Sequence, residues 1–359
     1  MSKLCPVCKI EIKKRPNQTY CSERHRKEAH RKKKSKQTRT EKKRSNLIQN
    51  DTFIYVINQC RYAKTIQILT GHTLKSFTRT IELIKNKEKG DVSRCHIAPI
   101  KGPGFTGLLH YKNLFYGGTH QNELFGNDYL SGGKYIKNKT LMEKWHVNDE
   151  MSNNEILIKI EEFLGGIVEE YVENNSVYKS KKVRIIEKIM EISQKADKDF
   201  LINKSTKYLN DELRQIKCSH SFWKSHGIES KYIAYMNELT RFISYRGKRK
   251  EMLKLLRKVM VIGYMALERV SGSETYNKDF YCKYERLIDL KYGQAMLKEP
   301  GDWPVFKDLI YDTVFKTLQG GDLDVKQFRK KILAYLTFPE KALQEKGLRY
   351  YRDPLKSFR

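Results

Sequence analysis

A chain of 359 residues has room for two or three hydrophobic cores, and 39% hydrophobic against 31% charged residues is polar without the apolar depletion of a disordered chain. A formal net charge of +29 repels itself unless a polyanion is the usual partner, so nucleic acid is the first partner to consider and a membrane surface the second. No stretch approaches the roughly 18 consecutive apolar residues of a membrane span, and MSKLCPVCK has no apolar signal region, so the expected location is cytoplasmic.

Seven cysteines, three of them within the first 21 residues, suit a reducing compartment and a metal better than a secreted disulfide framework. Cys5 and Cys8 form a C-x2-C knuckle; twelve residues later come Cys21 and His25, separated by three. This is tetrahedral-zinc spacing, with two thiolates from a tight turn, a hairpin bent at Arg15, Pro16 and Asn17, and a second pair opening a helix. The competing reading is of cysteines that are merely buried or redox-active. Tyr20-Cys21-Ser22 and Arg26 resemble the small zinc ribbons of the YCS-x-x-C-R kind, in which a cysteine usually stands at the place of His25. His30 is the rival for that fourth place. Four protein ligands leave no open position, so the expected zinc is structural.

RHRKEAHRKKKSKQTRTEKKR follows, with twelve lysines and arginines against two acids. Such a run is often a solvated helix or tail. Beside a zinc module in a chain this basic, Arg31, Lys32, Lys33, Lys34, Lys36 and Arg39 are expected to contact phosphates of DNA, or of RNA, since charge alone does not separate the two polymers.

Apolar residues from Phe53 to Ile66 recur at helical spacing and predict a helix over 51–69. Thr73 is the expected N-cap of the next helix, with Leu74, Phe77, Ile81 and Ile84 on one face and Gly90 as its stop. Next come a strand over 94–98, a glycine loop in KGPGFTG, a strand over 113–116, and a short helix in GGTHQNELFGN.

Strand, loop, strand, helix, with His96-Ile97-Ala98-Pro99, Asn113-Leu114 and Asn122 nine residues after Asn113, resembles the ββα-metal endonucleases of the HNH family. The resemblance spans about a tenth of the chain. It implies that Asn113 orients the hairpin that aims His96, that cleavage leaves 5′-phosphate ends, and that the protein is of phage or mobile-element character, working in a bacterial or phage-infected cytoplasm. Phosphodiester hydrolysis needs a base for the attacking water, and a neutral histidine serves at physiological pH. It also needs a divalent cation, Mg2+ or another, against the charge gathering on phosphate. Asn122 is the first ligand candidate for that cation. Many family members carry an aspartate or histidine ligand just before the catalytic histidine; this chain has Cys95, a poor partner for magnesium. Either Asp91 or His120 fills that place, or Cys95 belongs to the core. His110 is expected to cap a strand, and LSGGKYIKNK to be a loop that is solvated or holds the DNA backbone.

From Ser152 onward the chain reads as helical, with a helix opening at Asn153-Asn154-Glu155 that Gly165-Gly166 weakens, and further helices over 182–195, 231–245, 248–270 and 325–336. Arg246 to Met260 is expected to pack its apolar side in a core with a charged outer side, the alternative being a nucleic-acid contact. Cys218, His220 and His226 lack a fourth partner at metal spacing and are assigned no metal, and no catalytic pattern stands out in this half.

The expected fold is α+β, mostly α: a zinc ribbon over 1–30, a basic linker or arm over 31–50, an HNH-type module with helical scaffold over 51–150, and a helical region over 151–359. The expected function is metal-dependent DNA cleavage. The alternative is a non-catalytic, zinc-containing DNA-binding or regulatory protein with a degenerate HNH module.

Overall fold

The computed structural model describes residues 4–12, 18–87, 90–193, 196–215, 231–245, 247–270, 278–290 and 294–338. The expected turn at Arg15, Pro16 and Asn17, and Cys218, His220 and His226, lie outside the described residues. The described residues are mostly helical, with three short antiparallel strand pairs among them, an α+β fold in which α dominates.

Local chemistry sets the element ends. Helix α1, Glu23–Ser45, begins at Ser22, whose side chain accepts from the His25 amide. Helix α2, Asp51–Ala63, begins at Asn50, which caps the Thr52 and Phe53 amides. It stops at Lys64, in the left-handed region at φ 58°, so the helix expected through Leu69 becomes α2 and a separate 3-10 turn over Ile66–Leu69. Thr73 caps the Ser76 amide at the start of α3, Leu74–Lys85. The strands β1, Val92–His96, β2, Phe105–Gly107, and β3, Leu114–Gly118, lead into α4, Thr119–Phe125, and β4, Tyr135–Lys137. The KGPGFTG segment thus carries a strand within the expected loop.

Helix α5, Asn153–Leu164, opens with a reciprocal Ser152 and Glu155 capping box and ends at Gly165, whose φ of +50° suits glycine; α6, Ile167–Asn174, follows. Then come α7, Lys181–Ile192, α8, Lys198–Ile202, α9, Thr206–Gln215, α10, Lys231–Ile243, α11, Lys250–Val270, and α12, Lys278–Tyr284. After β5, Met296–Leu297, come α13, Trp303–Leu318, α14, Val325–Ala334, and β6, Leu336–Thr337. Among the described residues, no helix is long and apolar enough to cross a membrane.

These elements gather into two compact units, one of residues 1–66, 71–85 and 145–224, the other of 67–70, 86–144 and 225–359. Residues 51–150 contribute to both. In the first unit, Phe53 of α2, Phe77 of α3 and Tyr171 of α6 pack ring to ring at 5.6 to 6.3 Å. Near its C-terminus α1 is moored to α6, where the Lys43 ammonium donates to the Val172 and Glu173 carbonyls at 3.0 and 3.1 Å, satisfying helix-end acceptors.

In the second unit β1 and β3 pair antiparallel, with Cys95 opposite Phe115 and His96 opposite Leu114. Alternation sends Cys95 and Phe115 into a core built with α10, α11 and α13, where Phe115 meets Phe315 at 5.6 Å. Gly117 lies against the same ring, and a Cβ there would come within 2.7 Å of Phe315. Strand β2 pairs with β4, and β5 with β6.

Candidate functional site

The N-terminal donors converge. Cys5 lies in a tight turn, its amide donating to the Ile10 carbonyl and its carbonyl accepting from Lys9, which takes a left-handed φ of 61°. This turn presents Cys5 and Cys8, while the first turn of α1 presents Cys21 and His25. Cys8 Sγ stands 3.5 Å from Cys21 Sγ, His25 Nδ1 stands 2.9 Å from Cys21 Sγ and 3.8 Å from Cys5 Sγ, and all four ligand atoms lie within 4.8 Å of one another. A tetrahedral ion with sulfur about 2.3 Å away has edges of about 3.8 Å, so the group fits a cation of this size. His30 is exposed and outside the group.

The thiols show why a cation suits this cage. Burial raises the Cys5 pKa, but amide hydrogen bonds from Cys21, Cys8 and Val7 outweigh it and bring it down to about 5. Cys21 is pushed up to about 11, chiefly by its hydrogen bond with Cys8 and then by burial. Thiolates this close resist forming together unless a cation joins them.

The second locus is the β1–β3 hairpin. Asn113 is fully buried just before β3. Its Oδ1 accepts from the Ala98 amide at 2.9 Å and the Lys134 amide at 3.0 Å, and its Nδ2 donates to the Ala98 and Leu108 carbonyls at 3.1 and 2.8 Å. Four bonds exhaust the amide's usual capacity. They tie the chain just past His96 to the start of β3 and to the loop after α4. Gly133 closes the arrangement, with φ +71° and a Cβ position only 2.4 Å from Asn113 Oδ1. His110 is buried as well; its Nδ1 accepts from the Lys112 amide at 3.1 Å within the turn that leads to Asn113.

His96 is half-buried at the end of β1, and its Nε2 is shielded from solvent and without a hydrogen-bond partner. Burial, then the nearby Arg94 charge, pulls its pKa down to about 4, so the imidazole is neutral at physiological pH. Cys95 points the other way. It is 1% exposed in the apolar core, and burial pushes its thiol up to about 12.

Helix α4 packs against β1 and β3. It carries His120 on the surface and Asn122 half-buried. Asp91, before β1, bonds to the Thr119 side chain and to Lys231 Nζ at 3.1 Å, which hold its carboxyl below the usual range. Among the described residues, the Cys5, Cys8, Cys21 and His25 group is where three or more His, Cys, Asp or Glu ligand atoms gather. Asp91 and His120 do not join His96 in such a group.

Each unit also carries a basic surface. Strand β4 and its neighbours expose Lys134, Tyr135, Lys137 and Lys139, with the Tyr135 ring against Phe105 at 4.7 Å. Helix α1 exposes Arg31, Lys32 and Arg39, and the backbone of Lys33, Lys34 and Lys36 is helical with them. Arg31, Ser35, Thr38, Arg39 and Lys42 line one shallow groove along it.

What the sequence reading missed lies on α10. Tyr235 Oη accepts from the Gly118 amide at 2.8 Å, Lys231 holds Asp91, and Glu238 with Arg241 reaches the turn around Asn113. The available signal was Glu238-x-x-Arg241, an ion-pair spacing on a helix whose other buried positions are apolar or tyrosine. No family model, no curated protein and no solved structure matches this chain.

Proposed function

We propose that this protein is a metal-dependent DNA endonuclease of the HNH type, with a structural zinc in the Cys5, Cys8, Cys21 and His25 cage. The observation that carries the reading is the saturated Asn113 side chain, which fixes the backbone beside a histidine whose Nε2 has no partner in the protein. That is the economy of a positioned general base: the neighbour spends all its bonds on geometry, and the base keeps its lone pair.

In this mechanism His96, neutral and rigidly placed, accepts the proton of the water that attacks the phosphodiester. A bound divalent cation would supply charge stabilisation at the scissile phosphate. The amide oxygen of Asn122 is a hard donor of the kind Mg2+ accepts, and Asp91 or His120 would be the second protein donor. One or two such donors suit a magnesium site completed by substrate phosphate and water. Lys134, Lys137 and Lys139 would grip the DNA backbone, and α1 would add sequence-independent phosphate contacts.

Supercoiled plasmid incubated with Mg2+ or Mn2+ should be nicked or linearised, and EDTA should stop it. His96→Ala should bind DNA as wild type does and fail to cut; undiminished cutting by that variant sinks the base assignment. The burial of Cys95 supports a second reading, a non-catalytic DNA-binding or regulatory protein, because it leaves no anionic donor on the residue before His96. Tight gel shifts with no cleavage in any divalent cation would establish that reading instead.

A further inference from the structure

We infer that Arg241 is a positioning residue for the His96 hairpin, acting through the turn that carries Asn113; its kinetic consequence rests on the nuclease reading above. Arginine has five N–H donors, and the Arg241 side chain, 21% exposed beside the buried Glu238, must find most of their partners within the protein. Here all five are placed. Nε donates to Glu238 Oε2 at 2.8 Å, Nη1 to the Tyr111 carbonyl at 2.7 Å and Tyr245 Oη at 2.8 Å, and Nη2 to the Leu114 carbonyl at 2.5 Å and to Glu238 Oε2.

The two carbonyls bracket Asn113 in the chain, and Leu114 is the residue paired with His96. The guanidinium therefore fixes both ends of the segment from which the Asn113 amide reaches Ala98. Glu238 is 2% exposed, and a backbone hydrogen bond from Tyr116 joins it to the same strand. The pair thus grips the chain at Tyr111, Leu114 and Tyr116, from a helix in the half of the chain that carries no catalytic pattern.

Apolar packing alone does not account for this arrangement. A buried ion pair is commonly no better for stability than hydrophobic residues of the same volume, whereas a planar fork imposes direction on two carbonyls at once. Lysine, a point charge with three donors on a flexible stem, would keep the charge beside Glu238 and lose that geometry.

The test compares wild type, Arg241→Lys, and the double variant Arg241→Met/Glu238→Met, which removes both charges at similar volume. Three quantities are read: amide hydrogen exchange, thermal midpoint, and kcat and KM for cleavage of a duplex oligonucleotide with Mg2+. For Arg241→Lys the expectation is at least tenfold faster exchange at the Ala98 and Lys134 amides, which bond to Asn113, with α11 amides unchanged. Its kcat should fall at least tenfold, with KM within twofold of wild type. The double variant should show the same selective exchange, and it supplies that readout if the lysine variant does not fold. Wild-type exchange at Ala98 and Lys134 in these variants overturns the inference, as does equal acceleration throughout this unit, which would mark a merely stabilising pair. If wild type fails to cleave with any divalent cation, the nuclease reading falls, and the exchange data alone decide whether Arg241 holds the turn.

Discussion

Replacing Asn113 by alanine removes the four side-chain bonds that tie the turn before β3 to Ala98, Leu108 and Lys134, and leaves the backbone bond from the Ile97 amide to the carbonyl of residue 113 in place. Three of the four partner groups belong to the buried residues Ala98 and Leu108, which are 0% and 7% exposed. Each buried donor or acceptor left unpaired costs about 1 to 3 kcal/mol. The fourth, the amide of exposed Lys134, can turn to water. Three such groups set a range of roughly 3 to 9 kcal/mol, and some relaxation and water entry brings the expected loss to about 3 to 5 kcal/mol. Against a typical total stability of 5 to 15 kcal/mol, Asn113→Ala should fold with a visibly lower urea midpoint, or lose the fold of this unit.

Asn113→Asp refines the test, because it keeps the acceptor facing Ala98 N and Lys134 N and places an oxygen against the Ala98 and Leu108 carbonyls. A carboxylate there is repelled, and a protonated acid restores a donor, so the folded pKa rises above the unfolded value of about 3.9. The stability of this variant is then greatest below about pH 4 and falls by about 1.4 kcal/mol per pH unit above it, until the raised folded pKa is reached. Urea titrations of both proteins between pH 4 and 8 measure the difference. An Asn113→Ala loss below 0.5 kcal/mol, or an Asn113→Asp deficit independent of pH, refutes the argument that this side chain carries the hairpin.

Three further outcomes follow from the same geometry. The folded pKa of His96 lies near 4, below its unfolded value of about 6.5, so its contribution to stability is present above pH 6.5 and is lost as pH falls toward 4. That loss, on the order of 3 kcal/mol, should be absent from His96→Gln in acid titrations, and wild-type cleavage should hold its rate down to about pH 5 on the base side. The Cys3His cage should release about one equivalent of zinc when its thiols are modified, and Cys8→Ala should purify with at least tenfold less zinc by elemental analysis; stoichiometric zinc in that variant would remove Cys8 from the ligand set. Each phosphate contact contributes about 0.9 to the log-log salt slope on duplex DNA, so Arg31→Ala/Lys32→Ala/Arg39→Ala should lower the slope by up to about 2.7, and an unchanged slope would remove this face of α1 from the interface.

What could be read from the chain followed from local rules. Cys5 and Cys8 are separated by two residues, and Cys21 and His25 are one helical turn apart, so spacing alone foretold their convergence. The order β1, β3, α4 was legible because the glycines and the short polar helix leave local marks, although the strands expected over 94–98 and 113–116 lie at Val92–His96 and Leu114–Gly118. The place of Arg241 was not legible, because it is set by two carbonyls 130 and 127 residues earlier in the chain, and backbone acceptors have no sequence signature. Cys95 was legible in part: the sequence marks it as a poor partner for magnesium and leaves the core as one of its places, and the structure puts it there, because strand alternation sets it on the face opposite His96 that the apolar surfaces of α10, α11 and α13 claim. A ligand before the histidine would have to abandon the strand or the core. On the nuclease reading, a divalent ion in this hairpin would draw its protein donors from α4 and from the segment before β1, where Asn122, His120 and Asp91 stand. Asp91 is already held by Lys231 and Thr119, so recruiting it means breaking that pair, and Lys231→Met should tighten Mn2+ binding if Asp91 is the donor and leave it unchanged if Asn122 or His120 acts alone.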